Sequence, residues 1–124
     1  MIFKTKQLLE KNQKKIGDSK VLILGYTFKE NCADTRNTRV RDLILGFENN
    51  SAKVSVFDPF IDSDLYTNFI RNPLESEEKY DAIIVTVAHN EFKMYSKSDF
   101  QAISEGKLVL LDIKGLYSYS TWKL

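Results

Sequence analysis

The sequence predicts an α/β fold: a doubly wound, three-layer domain built on a mostly parallel sheet and preceded by an N-terminal helix. Three observations predict it. Residues 21–24, 81–88 and 107–113 are nearly continuous apolar runs, the pattern of strands buried on both faces. Segments with apolar residues at helical spacing separate the strands, as crossover connections between parallel neighbours require. Polar loops follow the strand ends, where open α/β sheets take their ligands.

Residues 1–16 read as the leading helix. Ile2, Leu9 and Ile16 recur every seven residues beside Leu8, and Gly17-Asp18 stops the pattern. One narrow apolar stripe suits a surface helix, the tail of a longer helix, or a helix docked on a partner subunit. The first strand, 21–24, ends at Gly25. The loop behind it packs Lys29, Glu30, Asp34, Arg36 and Arg39 into eleven residues, and its cations point to an anionic ligand. Asn37 or Thr38 caps the next helix, whose apolar positions are Val40, Leu43, Ile44 and Phe47.

Asn49-Asn50-Ser51 turns the chain into a second strand, Lys53–Phe57, which stops at Asp58-Pro59 because proline donates no backbone hydrogen bond. Between 60 and 80 the pattern weakens. Leu65, Phe69 and Ile70 suggest a short helix broken at Asn72-Pro73, and 75–79 is charged and exposed. The third strand, 81–88, runs into His89-Asn90-Glu91-Phe92. Ser98 is expected to cap a short helix through Phe100 and Ile103 that ends at Gly106. The fourth strand, 107–113, runs into Lys114-Gly115, and the aromatic tail from Leu116 shows no period. Parallel strands end on one edge, so Gly25, Asp58, His89 and Lys114 should gather along one rim, in a strand order the pattern does not reveal.

With 124 residues the chain has room for one domain with a core. A net charge of +1 argues against nucleic acid or membrane held by bulk charge, so any anion site must be local. The single cysteine, Cys32, excludes an intrachain disulfide and carries no metal-ligand spacing. No run approaches the ~20 apolar residues of a membrane helix, and no signal-peptide core is present; a reducing, cytoplasmic setting is expected.

The chemistry-bearing residues each have two readings. Lys29 is a point charge for a phosphate or a solvated loop lysine. Arg36 either binds a phosphate through its planar fork or pairs with Asp34 or Glu30 and braces the loop. Arg39 and Arg41 read as surface charge. Lys114, at a strand end, lacks the bidentate fork of an arginine. Cys32 sits among Glu30, Asn31 and Asp34 rather than among cations that favour a thiolate, so it is not read as a nucleophile. His89 has no partner that makes a catalytic constellation and is expected to hydrogen-bond within the loops. Asp58 reads as a turn residue. In a competing reading, a receiver-like signalling module, it would be the phosphoacceptor and Lys114 the strand-end cation. That reading needs an acidic pair after the first strand, where Gly25-Tyr26-Thr27 stands.

The stretch GYTFKENCADTRNTRV, followed by KVSVFDP, VAHNEF and LLDIKGLYS, resembles the C-terminal domain of the UDP-glucose/GDP-mannose dehydrogenase family. The likeness is strongest to the branch acting on UDP-N-acetylhexosamines for bacterial surface polysaccharides, and it spans roughly residues 20 to 118. The resemblance implies a Rossmann-like α/β domain at 18–124 that holds the UDP end of the substrate, with 1–17 as the end of a connecting helix. It implies that Phe28, Lys29, Arg36 and Lys114 bind the UDP-sugar. It further implies an NAD-dependent oxidoreductase, a 6-dehydrogenase that converts a UDP-hexose or UDP-N-acetylhexosamine to the uronic acid as a homodimer. NAD and the catalytic cysteine belong to a Rossmann domain and a central helical region that this sequence does not contain, since it has no Gly-x-Gly-x-x-Gly. No catalytic residue, metal or cofactor is therefore expected in this chain, which is expected to be inactive alone.

Overall fold

The computed structural model describes residues 1–65 and 67–124, without the side chains of Thr38 and Leu65. Its sheet has five strands: β1 (Lys20–Leu24), β2 (Lys53–Phe57), β3 (Ala82–Val85), β4 (Leu110–Asp112) and β5 (Trp122–Lys123). They lie in the order β2-β1-β3-β4-β5, and every pair is parallel. The expected parallel sheet is thus present, with one strand more than the sequence suggested. β5 is two residues long in the aromatic tail, too short to show a period.

Side-chain alternation along β1 divides the core. Val21 and Ile23 face one layer, and Leu22 and Leu24 the other. On the first face lie α1 (Ile2–Lys11) and α2 (Thr38–Asn49), with Leu9, Val40, Ile44 and Phe47 buried against Val54, Val56 and Ile84. On the second lie α3 (Asn90–Lys93) and α4 (Lys97–Ala102), with Phe92, Tyr95, Phe100 and Ile103 against Ile83, Val85 and Leu110. Helices on both faces complete the three layers. Burying one such side chain contributes roughly 1.5–3 kcal/mol, so these two clusters hold the fold.

Several local expectations shift. The first helix ends at Lys11, and a separate 3-10 turn, Ile16–Asp18, carries Ile16 into the core. The stripe is narrow, yet Leu9 is fully buried and Ile2 packs on Gly46, where an added Cβ would meet it at 3.2 Å. The helix therefore docks on this domain's own α2. Asn37 is the α2 cap: its side chain accepts from Val40 N. At α4 the cap is Ser96, not Ser98; Ser96 and Asp99 form a reciprocal capping box, and the helix it starts at Lys97 already contains Ser98. Between 60 and 80 the described residues hold 3-10 turns at Ser63–Leu65 and Pro73–Glu75 and a parallel bridge from Phe69 to Val56 instead of the expected helix. The part of that expectation falling on Tyr66 lies outside the described residues.

β1 leads to β2 on one side, and the chain then returns to place β3 on the other. The carboxyl ends of β1 and β3 therefore flank the point where the winding reverses, the position at which open α/β sheets leave a crevice.

Candidate functional site

The crevice is shaped first by a close approach. Gly25 leaves β1 at φ +106, and a Cβ there would lie 2.7 Å from Val87 Cβ. Beside it, Thr86 N and Oγ1 donate to Leu24 O at 2.9 and 3.1 Å, and Oγ1 also reaches Gly25 O at 2.5 Å. The exits of β1 and β3 are thus pressed together, and the loop after Gly25 must arch away.

Asp58, buried at the end of β2, anchors the start of that arch. Its Oδ2 accepts from Tyr26 N at 2.8 Å and Thr27 N at 3.0 Å, and its Oδ1 from Phe60 N at 2.8 Å. His89 Nε2 lies 2.9 Å from the same Oδ2. Burial works against the Asp58 carboxylate, but the His89 bond and the three backbone N–H donors outweigh it and hold its pKa below the usual range. With both oxygens engaged and 1% of the residue exposed, Asp58 has no free oxygen for a phosphoryl group. Among the described residues no cluster of acids, histidine or cysteine could hold a metal. The receiver-like reading finds no support in this geometry.

Further along, the loop closes on itself. Phe28 N donates to Asp34 O at 2.6 Å, and Asn37 Nδ2 donates to Thr27 O at 2.9 Å. Arg36 makes the pairing of its second reading: Nε donates to Asp34 Oδ1 at 2.9 Å and Nη2 to Oδ2 at 2.7 Å. That pair, and the Arg36 backbone N–H on the same carboxylate, bring the Asp34 pKa down to about 2. The Arg36 side chain is still 84% exposed, so the outer face of the guanidinium remains available to solvent.

Between this loop, the start of α2 and the exits of β3 and β4 lies a cavity of about 530 Å³. Phe28, Lys29, Arg36 and Lys114, singled out by sequence, all line it. Its floor is apolar, formed by Val40, Leu43, Val87 and Ile113. Lys29, Arg36, Arg39 and Lys114 supply four cations against one acid, Glu30. Phe28 stands at the wall with 60% of its surface exposed. Arg39 had passed as surface charge together with Arg41. On a helix, residues two apart point to nearly opposite sides, while Arg39 and Leu43 at i, i+4 share a face. Leu43 lines the cavity, as does Arg39, and Arg41 does not. Cys32 is partly exposed and is not among the lining residues. His89, fully buried, is not among them either and sits behind the loop, bonded to Thr27 and Asn31.

The family model described as UDP-glucose/GDP-mannose dehydrogenase family, UDP binding domain, matches residues 22–119. The chain belongs to this family. It is 44% identical over 99 residues to the UDP-N-acetyl-D-glucosamine 6-dehydrogenase of Salmonella typhi, covering 77% of this chain and 23% of that protein. It is 33% identical over 121 residues to the UDP-N-acetyl-D-mannosamine dehydrogenase of Methanococcus aeolicus, covering 94% of this chain and 27% of that one. The chain thus spans about a quarter of the length of these curated relatives. Among solved structures, the NDP-N-acetyl-D-galactosaminuronic acid dehydrogenase of Methanosarcina mazei superposes with a TM-score of 0.80 at 23% identity, over 93% of this chain and 25% of that one. That likeness establishes the fold. The family resemblance carried by the motifs is borne out, and the matched span includes the whole loop from Gly25 to Asn37 and the strand ends that surround the cavity.

Proposed function

We propose that this chain is the nucleotide-sugar binding domain of an NAD-dependent UDP-sugar 6-dehydrogenase that oxidises a UDP-hexose or UDP-N-acetylhexosamine to the uronic acid. The observation that carries the reading is the cavity itself. In a domain of a family described as UDP binding, it sets four cations around an apolar floor at the point where the winding reverses. A diphosphate suits those cations and the start of α2, where backbone N–H groups favour anions. The exposed Phe28 ring offers a flat apolar face to a base or sugar. Phe28, Lys29, Arg36 and Lys114 are the proposed contacts, with Arg39 added.

NAD would be bound elsewhere in the enzyme. The turn after β1 reads Gly25-Tyr26-Thr27-Phe28, without the second and third glycines that let a dinucleotide pyrophosphate approach the backbone. The residues present do not fit that cofactor. Residues 1–17, helical over Ile2–Lys11, then serve as the connection that joins this domain, 18–124, to NAD-binding and helical parts of a dimeric protein. No described helix is long and apolar enough to cross a membrane, in keeping with a cytoplasmic enzyme.

Titration of the chain with UDP, followed by amide NMR, tests the reading. The shifts should fall on residues 25–39 and near Lys114, with affinity in the range of roughly high micromolar to millimolar, because the remaining walls belong to other domains. UMP should bind more weakly than UDP, and Lys29→Ala should reduce the shifts. With NAD and any UDP-sugar the chain alone should make no NADH. Shifts confined to Asp58 and Pro59, or none at millimolar UDP, would refute the site.

A further inference from the structure

The geometry points to His89 as the positioning residue of the cavity: a neutral imidazole that latches the loop after β1 into its ligand-competent shape and releases it on protonation. This rests on the binding reading above.

The latch begins at Asn31, which holds φ +56, a left-handed conformation that asparagine tolerates better than most residues with a side chain. Here the exit of β3 fixes it. Asn31 N donates to His89 Nδ1 at 2.9 Å, and Asn31 Oδ1 accepts from Asn90 N at 2.9 Å. Asn31 is thus joined to the His89-Asn90 pair by two bonds of opposite direction, and the loop segment carrying Phe28, Lys29 and Glu30 is pinned at its far end. Its near end is pinned by Asp58 through Tyr26 N and Thr27 N. His89 bonds to both anchors, because its Nε2 lies 2.9 Å from Asp58 Oδ2 and 2.9 Å from Thr27 Oγ1.

These bonds fix the tautomer. Nδ1 faces an N–H and must accept, so the ring proton is on Nε2. Thr27 Oγ1 donates its own proton to Lys29 O at 3.1 Å, so it receives rather than gives at Nε2. A second proton on the ring could only go to Nδ1, where it would meet the Asn31 N–H head-on. The ring is fully buried between Phe60 and Phe92, with centroids 4.8 and 5.4 Å away, which leaves no solvent to relieve that clash. Of the charged groups around it, Asp58 from the β2 exit is the one in contact. Lys29 and Glu30 precede the latch in the loop, and Glu91 and Lys93 follow on α3. Protonation therefore strengthens the Asp58 side and breaks the Asn31 side, freeing the segment that bears Phe28 and Lys29. His89 acts through the loop, since it does not line the cavity.

Two variants separate the bonds. In His89→Asn the amide oxygen takes the place of Nδ1, keeps an acceptor for Asn31 N and does not titrate. In His89→Gln the amide reaches toward Asp58 but leaves Asn31 N without its acceptor. Ring nitrogen NMR of the ligand-free chain should show the Nε2–H tautomer, and the Asn31 amide should titrate with the same midpoint as the ring. As the ring takes its second proton, followed by the same ring-nitrogen NMR, UDP affinity of the wild type should fall about tenfold more than that of His89→Asn, the scale of one lost hydrogen bond. Protonation of UDP itself is common to both and cancels. His89→Gln should bind weakly throughout. An Nδ1–H tautomer, an Asn31 amide indifferent to the ring, or equal pH profiles for wild type and His89→Asn would each overturn the latch. Wild type that binds no UDP at any pH, with the ring and Asn31 titrating together, would instead overturn the binding reading.

Discussion

The Asp34 carboxylate holds the Arg36 guanidinium in a two-pronged pair, with Nε at 2.9 Å from one oxygen and Nη2 at 2.7 Å from the other. The same Oδ1 accepts from Arg36 N at 3.0 Å, which closes a tight turn. Pairing and turn are separable. Asp34→Asn retains an oxygen for the Arg36 N–H and leaves the Phe28 N to Asp34 O bond untouched, since that bond is backbone to backbone. It removes one negative charge beside the cavity and frees the fork of Arg36 for a phosphate. UDP affinity should rise about threefold at low ionic strength, a modest gain because exposed charges are screened. A loss of affinity in the same titration would mean that the pair braces the loop more than it occupies the arginine.

Gly25 admits no side chain. An alanine Cβ would stand 2.7 Å from Val87 Cβ and 2.8 Å from Val87 N, at a φ of +106 that side-chain-bearing residues rarely adopt. The backbone strain and the overpacking each cost about 1–3 kcal/mol. Gly25→Ala should therefore lower stability by roughly 3 kcal/mol in urea unfolding. Gly106→Ala, at φ +81 with open space around its Cβ, should cost less, because only the strain applies there.

Asp58 makes the fold acid-sensitive. Its folded-state pKa lies below the ordinary value. The carboxylate thus contributes its full stabilisation above about pH 4, the unfolded value, and loses it as pH falls through the lower folded value. Asp58→Asn abolishes that contribution and turns an amide donor toward the donors that the carboxylate had satisfied. Its stability at neutral pH should fall by about 2–4 kcal/mol. Its stability should also change less than that of the wild type between roughly pH 5 and pH 2. Parallel loss of stability in both proteins over that range would place the acid sensitivity elsewhere. Asp34, also lowered by its arginine, responds in the same direction, so the comparison belongs between variants and not on the wild type alone.

Much of this was legible because buried parallel strands leave an unmistakable sequence trace. Residues 21–24 and 82–85 are apolar for a physical reason, since each faces a helical layer on both sides, whereas the edge strand 53–57 alternates and leaves Lys53 exposed. The cavity residues Phe28, Lys29, Arg36 and Lys114 were reached through the strand-end rule and the motif likeness together. What stayed hidden depended on distance in space. Nothing in sequence tells that Asn31 and His89, 58 residues apart, share a hydrogen bond, or that α1 folds back on α2. β5 has two residues and no period to read. The Ser96 cap was missed for a different reason: the Ser96-x-x-Asp99 box was present in the sequence, but Ser98 stands two residues nearer the apolar pair Phe100 and Ile103.

The last prediction separates two arginines two residues apart. Arg39 lines the cavity and shares a helix face with Leu43, whereas Arg41 is exposed and absent from the cavity wall. Both lie in the first turn of α2, so each adds the same unit charge close to the same helix terminus. If the ligand answered only to general positive potential, removing either would weaken it equally. If the diphosphate lies in the cavity, Arg39 is within reach and Arg41 is directed away, and Coulomb attraction at an effective surface dielectric falls from several kcal/mol at contact to well under one beyond a Debye length. Arg39→Ala should therefore lower UDP affinity about three- to tenfold, with a shallower dependence on salt, and Arg41→Ala by less than about twofold. Lys114→Ala should behave as Arg39→Ala does, because it approaches the same cavity from the end of β4. Equal effects of the two arginine substitutions, at two salt concentrations, would show that UDP is drawn to the helix end at large and not to the cavity between β1, β3 and α2.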